Sequence, residues 1–155
     1  MSSVFDLDTF VQSTTDEPLA TRMIPVPEGE YLLAVASHDK WCEVRSITEG
    51  KMAGRVIADL QFEVLDESVK QALSMDTVRV RKSYFLDLTP DGRVDFGPNK
   101  NIQLGKLREA LGQNKPGVPF GALKGAGPVK GRITQRPDSN DPTIVYNDIA
   151  AITSV

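Results

Sequence analysis

Two arginines and a phenylalanine share one side of a predicted strand over residues 77–88. Arg79, Arg81 and Phe85 have the same parity, so their side chains belong to one exposed surface. The opposite side is apolar and consists of Val78, Val80, Tyr84, Leu86 and Leu88. Cations that contact phosphates, beside a ring that stacks on a base, are typical of surfaces that bind single-stranded nucleic acid. The alternative is an edge strand whose basic residues prevent aggregation.

A second predicted strand, over residues 129–136, repeats this pattern. Its outward side carries Lys130, Arg132 and Arg136, and its inward side carries Val129, Gly131 and Ile133. Two basic strands with few acids between them strengthen the prediction of a phosphate-binding surface. In the first strand Lys82 breaks the alternation, which predicts a β-bulge at that position.

The only tryptophan, Trp41, is a candidate for base stacking because it lies in a polar stretch between Lys40 and Arg45. A core tryptophan at a bend of the sheet is the alternative, and the sequence leaves both open. Arg55 has the parity of the polar side of the strand predicted over residues 56–64. The predicted nucleic-acid-binding residues are therefore Trp41, Arg45, Arg55, Arg79, Arg81, Lys82, Phe85, Lys130, Arg132 and Arg136.

The charge of the chain is unevenly distributed. The 155 residues carry a formal net charge of -3. Residues 1–30 contain six acids and one base, whereas residues 78–136 contain twelve bases and four acids. A local basic patch, rather than the total charge, sets the field that a phosphate backbone meets. The segregation favours a nucleic-acid partner, and chance clustering on a solvated surface is the alternative.

Several function classes are excluded by composition. The chain has one cysteine, Cys42, and one histidine, His38, so neither an internal disulfide nor a zinc site of several Cys and His side chains can form within it. No phosphate-binding glycine loop is present and no nucleophile stands out. We therefore expect a non-enzymatic protein without metal or cofactor. The lack of a secretion signal and of a long apolar run predicts a soluble, cytoplasmic protein without membrane contact.

The predicted elements follow the order strand, strand, strand, helix, strand, strand. The strands cover residues 31–37 with a bent continuation through 41–45, then 56–64, 77–88, 129–136 and 143–152, and the helix covers 102–111. We predict an all-β fold with one main helix: a five-stranded OB-fold Greek-key barrel with the helix between strands 3 and 4. Leu104, Leu107 and Leu111 of this helix should pack on its open end. An SH3-like barrel or an α+β sandwich explains the helix less well.

Domain organisation is predicted to be simple. Residues 1–27 form an acidic, partly flexible lead-in, and residues 28–155 form the binding domain.

Four short sequence patterns occur in a characteristic order along the chain. Residues 27–31 read Pro-Glu-Gly-Glu-Tyr, and residues 102–112 read Ile-Gln-Leu-Gly-Lys-Leu-Arg-Glu-Ala-Leu-Gly. Residues 129–133 read Val-Lys-Gly-Arg-Ile, followed by Tyr-Asn-Asp-Ile at 146–149. In this order, and over residues 27–152, the chain resembles the OB-fold single-stranded-DNA-binding proteins of tailed bacteriophages.

The resemblance implies a sequence-tolerant protein that protects single strands in phage DNA replication, recombination or repair. It implies single-stranded DNA as the ligand, phage replication or recombination proteins as partners, the host cytoplasm as location, and it allows a homo-oligomer. A hypothesis of another class stays open: a protein–protein interaction barrel, such as a phage structural or host-interaction module, whose basic face meets an acidic protein. A comparison of binding to single-stranded and to duplex DNA separates these two hypotheses, because only single strands offer unstacked bases.

Overall fold

The computed structural model describes residues 6–14 and 16–155, and in this part of the chain the fold is mostly β. One antiparallel sheet contains six strands: β1 (Gly29–Val35), β2 (Cys42–Ser46), β3 (Val56–Val64), β4 (Arg79–Leu86), β5 (Val129–Pro137) and β6 (Val145–Thr153). The α-helices are α1 (Leu7–Gln12), α2 (Glu67–Ala72) and α3 (Ile102–Ala110), and Phe120–Leu123 form a short 3-10 helix. The predicted all-β class with one longer helix, α3, before the last two strands is confirmed.

The sheet has six strand segments rather than the predicted five, because the first predicted strand is interrupted. β1 and β2 pair one after the other with the same edge of β3, through Val35 opposite Phe62 and Cys42 opposite Leu60. Between them, Ala36 N donates to the Gln61 carbonyl and Gln61 N donates to the Trp41 carbonyl, both at 2.9 Å. Residues 37–40 therefore loop out of the sheet. The chain leaves the sheet at Ala36 and re-enters it at Trp41, and both residues bond to Gln61 of β3.

Strand order places β4 and β6 at the two ends of the sheet. β3 pairs with β4 on its other edge, β1 also pairs with β5, and β5 pairs with β6. The end strands nevertheless approach each other, and Lys82 Nζ on β4 donates to the Ile149 carbonyl on β6 at 2.9 Å. Within the described residues no ladder joins them. The sheet therefore curls round and leaves a seam between β4 and β6.

The inner side of the sheet holds the core. Its largest fully buried side chains include Tyr84, Phe62, Leu33, Leu60 and Ile133. Helix α3 adds Leu104 and Leu107, which are 6% and 1% exposed, while Leu111 packs against the core at its edge. The predicted burial of the helix leucines is thus confirmed. The helix ends at Ala110 because Gly112 takes the left-handed conformation, with φ +71°.

The predicted β-bulge at Lys82 was wrong. β4 pairs with β3 in unbroken register from Arg79 to Leu86, so no bulge occurs at Lys82. Lys82 instead keeps the inward parity of Val80 and Tyr84, and its long side chain reaches the open seam. The irregularity of the sheet lies in β5, between Arg132 and Ile133.

The predicted lead-in ends in contact with the sheet. Residues 1–5 and residue 15 of the lead-in lie outside the described residues, and no residue of α1 is buried. Val26, however, is 3% exposed, and its amide and carbonyl bond to the Asn147 side chain at 2.8 and 2.9 Å. Arg22 pairs with Asp141 at 3.2 Å. Contacts with the sheet therefore begin before residue 28.

None of the helices in the described part of the chain is long and apolar enough to cross a membrane.

Candidate nucleic-acid interface

Five of the ten predicted binding residues lie on or directly next to the outer side of β2, β3 and β4: Arg45, Arg55, Arg79, Arg81 and Phe85. Because residues opposite each other in an antiparallel pair share a side, the register defines four rows of neighbouring residues. The rows are Arg45–Ile57–Phe85, Glu43–Asp59–Ser83 and Gln61–Arg81, with Glu63–Arg79 beyond them. We call the part of this surface that carries Arg45, Arg55, Arg79 and Phe85 the paired face.

Each of these three arginines has a carboxylate partner. Arg45 Nε lies 2.8 Å from Asp59 Oδ2, and Arg79 Nε lies 3.2 Å from Glu63 Oε2. Arg55 Nη2 lies 3.7 Å from Asp87 Oδ1. A phosphate must share or displace these carboxylates, so the paired face is less attractive to DNA than its arginine content suggests.

Asp59 is the central acid of the paired face and is only 6% exposed. Its carboxylate accepts hydrogen bonds from Arg45 Nε at 2.8 Å and from Ser83 Oγ at 2.5 Å. Burial by itself raises the pKa of Asp59, but these two bonds and the charges of Arg45 and Arg81 outweigh it and hold the pKa below its usual value. Asp59 therefore stays charged and fixes Arg45 to the sheet.

The two predicted aromatic residues differ in access. The Phe85 side chain is 44% exposed, and the Arg55 guanidinium lies 5.2 Å from the centre of its ring. Trp41 is half-buried and packs against the core, next to Gln61 in the sheet. Trp41 thus combines the two alternatives, a core contact and an accessible part, and its role in base stacking stays a prediction.

A cleft of about 530 Å³ runs along the seam between β4 and β6. It is lined by Arg81, Lys82, Ser83, Arg136, Tyr146, Asn147, Asp148 and Ile149, and we call it the seam cleft. Among the described residues, neither Arg81 nor Lys82 has a carboxylate within 4 Å, whereas Arg136 pairs with Asp148 at 2.9 Å. The cleft therefore holds three cations and one carboxylate.

Arg136 and Tyr146 place a cation next to an accessible aromatic ring in the seam cleft. The Arg136 guanidinium lies 5.2 Å from the centre of the Tyr146 ring, and that tyrosine is 43% exposed. The hydrogen bond and charge of Asp148 raise the pKa of Arg136, so this cation is permanent. Burial lowers the pKa of Lys82, opposed by Asp148. The cleft can offer phosphates charge-assisted hydrogen bonds and a base an aromatic ring.

Lys130 and Arg132 lie elsewhere. They are exposed on the outer side of β5, opposite Leu32 and Glu30 of β1 and Thr153 and Ala151 of β6. β6 separates them from β4 in one direction, and β1 and β3 separate them in the other. The structure thus brings Arg81, Lys82 and Arg136 together but not these two residues with them.

Tyr146 was not among the predicted site residues. Its position follows from the turn between β5 and β6, which sets Pro137 opposite Val145 and Arg136 opposite Tyr146. The sequence signals that turn through Pro137, Asp138 and Pro142. Counting outward from the turn would have paired the arginine with the tyrosine.

Comparison of the chain with protein-family models, with curated proteins and with solved structures finds no significant match.

Proposed function

We propose that this protein binds single-stranded DNA with little sequence preference and protects single strands during phage DNA replication, recombination or repair. The observation that carries the proposal is the seam cleft. It combines Arg81 and Lys82, which lack acid partners among the described residues, with Arg136 and an accessible Tyr146 ring. Backbone capture by cations and stacking of bases on a ring are the two interactions that sequence-tolerant binding requires.

The strand connections support an OB-fold as the framework. β1 and β2 together act as one bent first strand, and β3 and β4 follow as an antiparallel meander. α3 precedes β5, which returns to pair with β1, and β6 lies beside β4. In OB-folds, nucleic acids bind on the side of the second and third strands and the adjacent loops, which correspond here to β3, β4 and the seam.

One observation favours the alternative, a protein–protein interaction barrel. The paired face carries arginines and carboxylates in nearly equal number, and a phosphate backbone gains little from such a surface. An interaction partner with its own alternating charges would fit it. This alternative predicts no preference for flexible single strands.

Fluorescence anisotropy with labelled oligo-dT and with a duplex of equal length tests the proposal. We expect saturable binding of oligo-dT, weakened by salt, and much weaker binding of the duplex. Equal affinities for the two DNAs would indicate general charge attraction, and no binding of oligo-dT would overturn the proposed function.

A further inference from the structure

Phe96 is an exposed aromatic side chain on a loop that is held in place. Its side chain is 84% exposed. Asp95 N donates to the Asp87 carbonyl at 2.9 Å, and Gly97 N donates to Asp95 Oδ1 at 2.8 Å. Asn101 Nδ2 donates to the Asp95 carbonyl at 3.0 Å. The backbone on both sides of the ring is therefore fixed, and the ring is held in solvent in a defined position.

Asn101 fixes the loop to the end of β4. Its backbone is left-handed, with φ +52°, and its side chain makes no capping bond to α3. Instead, Asn101 Oδ1 accepts from Asp87 N at 2.8 Å, and Asn101 Nδ2 donates to the Asp87 carbonyl at 2.9 Å. Asparagine adopts left-handed backbone more readily than most residues, so Asn101 can turn the chain into α3 while its side chain holds the end of β4.

A pocket of about 410 Å³ opens between this loop and α3, within the usual range for small-molecule sites. Its apolar lining includes Val94, Phe96, Ile102, Leu104 and Phe120. Ile102 is 49% exposed, so part of this apolar surface faces solvent. The size and lining suit a flat ring that enters beside Phe96.

Arg108 lines the same pocket and is only 6% exposed. Its Nη2 donates to the Gln113 and Val118 carbonyls at 2.8 and 2.7 Å, and its guanidinium lies 4.5 Å from the centre of the Phe120 ring. Its Nε has no hydrogen-bond partner, and no carboxylate lies within 4 Å among the described residues. A buried cation without an acid is costly, and an electron-rich ligand would offset that cost.

Two lysines connect the pocket to the proposed DNA path. Lys106 lines both the pocket and a groove that reaches Lys82 in the seam cleft. Lys100 lines both the pocket and a groove that contains Arg55. Neither lysine has a carboxylate within 4 Å among the residues that the structure describes. A strand leaving the seam cleft therefore meets cations on its way to Phe96.

We infer that this pocket receives one base of the bound single strand, stacked on Phe96, while Lys100 and Lys106 hold the flanking phosphates. The inference rests on the proposed function and adds a second contact point to it. Every base presents a flat face to a ring, so the pocket need not select a sequence. An acidic peptide with an apolar side chain is the other ligand considered. Asp95 and Glu109 also line the pocket and disfavour its carboxylates there, and the groove that joins Lys106 to Lys82 favours the base.

Binding of oligo-dT as a function of its length tests the inference. For the wild-type protein we expect the affinity for oligo-dT to rise in two steps as its length increases. The first rise ends when the strand fills the seam cleft, and the second occurs once the strand spans both the seam cleft and the pocket. Phe96→Ala should remove the second rise and raise the Kd for long oligo-dT about tenfold, leaving short oligo-dT unaffected. Phe96→Tyr should restore the second rise, because it keeps the ring.

Phe10→Ala is the matched control, since it also truncates an exposed phenylalanine and should leave the length dependence unchanged. Thermal unfolding should be the same for all variants. An identical length dependence for Phe96→Ala and wild type would overturn the inference while leaving the proposed function intact. A wild-type protein that binds no oligo-dT would overturn both.

A peptide of residues 6–12, Asp-Leu-Asp-Thr-Phe-Val-Gln, probes the other ligand. We expect no binding. Binding that Phe96→Ala abolishes, together with an unchanged oligo-dT curve, would make the pocket a peptide site and overturn the inference.

Discussion

Arg79 and Arg81 lie two residues apart on the same side of β4, but they meet different neighbours. β3 places Glu63 opposite Arg79 and Gln61 opposite Arg81. Arg79 is consequently held by a carboxylate at 3.2 Å and belongs to the paired face. Arg81 has no carboxylate within 4 Å in the described part of the chain and lines the seam cleft. Register across strands, more than the number of arginines, therefore decides where a basic surface can accept phosphate.

One core supports both the paired face and the seam cleft, so a core truncation has the largest expected effect. Leu107 is 1% exposed beneath the sheet. Leu107→Ala should lower the free energy of unfolding by about 2–5 kcal/mol, because it removes buried methyl groups and leaves a cavity. Denaturant unfolding measures this. Val44→Ala, at a position 64% exposed, is the control and should change stability little. Similar stability for the two variants would contradict the assigned core.

Asp59→Asn converts part of the paired face into an unpaired one. Removal of the buried carboxylate that holds Arg45 and Ser83 should cost about 1–3 kcal/mol of stability. The released Arg45 should strengthen oligo-dT binding. Denaturant unfolding and anisotropy give the two values. Weaker oligo-dT binding by a folded Asp59→Asn protein would mean that the carboxylate does not compete with phosphate.

The same variant has a defined pH dependence. The pKa of Asp59 is lowered in the folded protein, so its stabilising contribution is complete above the ordinary aspartate pKa of about 3.9 and is lost as pH falls through the lowered value. The stability difference between wild type and Asp59→Asn should therefore shrink below about pH 4. A difference that stays constant down to acid unfolding would contradict the assigned role of the ionised carboxylate.

Trp41 tests how far the bound strand extends from the seam cleft across β3. It lies beside Gln61, which is itself opposite Arg81. Because Trp41 is half-buried, we expect Trp41→Ala to weaken oligo-dT binding by about 1 kcal/mol, the lower end of the stacking range. The fluorescence of this only tryptophan should be partly quenched by saturating oligo-dT. Emission that does not respond to bound DNA would confine the strand to the seam.

Single substitutions at Arg81 and Arg79 have the smallest expected effect and give the closest comparison. Arg81→Gln should reduce the slope of log K against log salt by about 0.7, the value for one lost single-strand phosphate contact. Arg79→Gln should reduce it less, because Glu63 already neutralises that arginine. Equal reductions would show that the ion pair does not matter for binding.

The sequence predicted well which side chains of a single strand or helix face the core. The alternation around Val80 and Tyr84 gave the inner side of β4, and helical spacing gave the burial of Leu104 and Leu107. The same alternation placed Lys82 inward, and a bulge was inferred only because a lysine was not expected there. Its contact with the Ile149 carbonyl depends on how the two end strands meet.

Contacts and sites that depend on the arrangement of several strands were not predicted from the sequence. The bond between Arg45 and Asp59 requires the register of β2 on β3. The separation of Lys130 and Arg132 from Arg81 requires the order of strands in the sheet, which equal parity on two strands does not reveal. The pocket beside Phe96 requires the packing of a loop against α3.

The central claim is that single-stranded DNA lies in the seam cleft, and titration of the amide proton–nitrogen correlation spectrum with oligo-dT tests it most directly. We expect the largest saturable shifts at residues 81–83 and 146–149, on the two sides of the seam. Smaller shifts should occur around Arg45 and Arg79. Shifts confined to the outer side of β5, around Lys130 and Arg132, or to the paired face would contradict the claim.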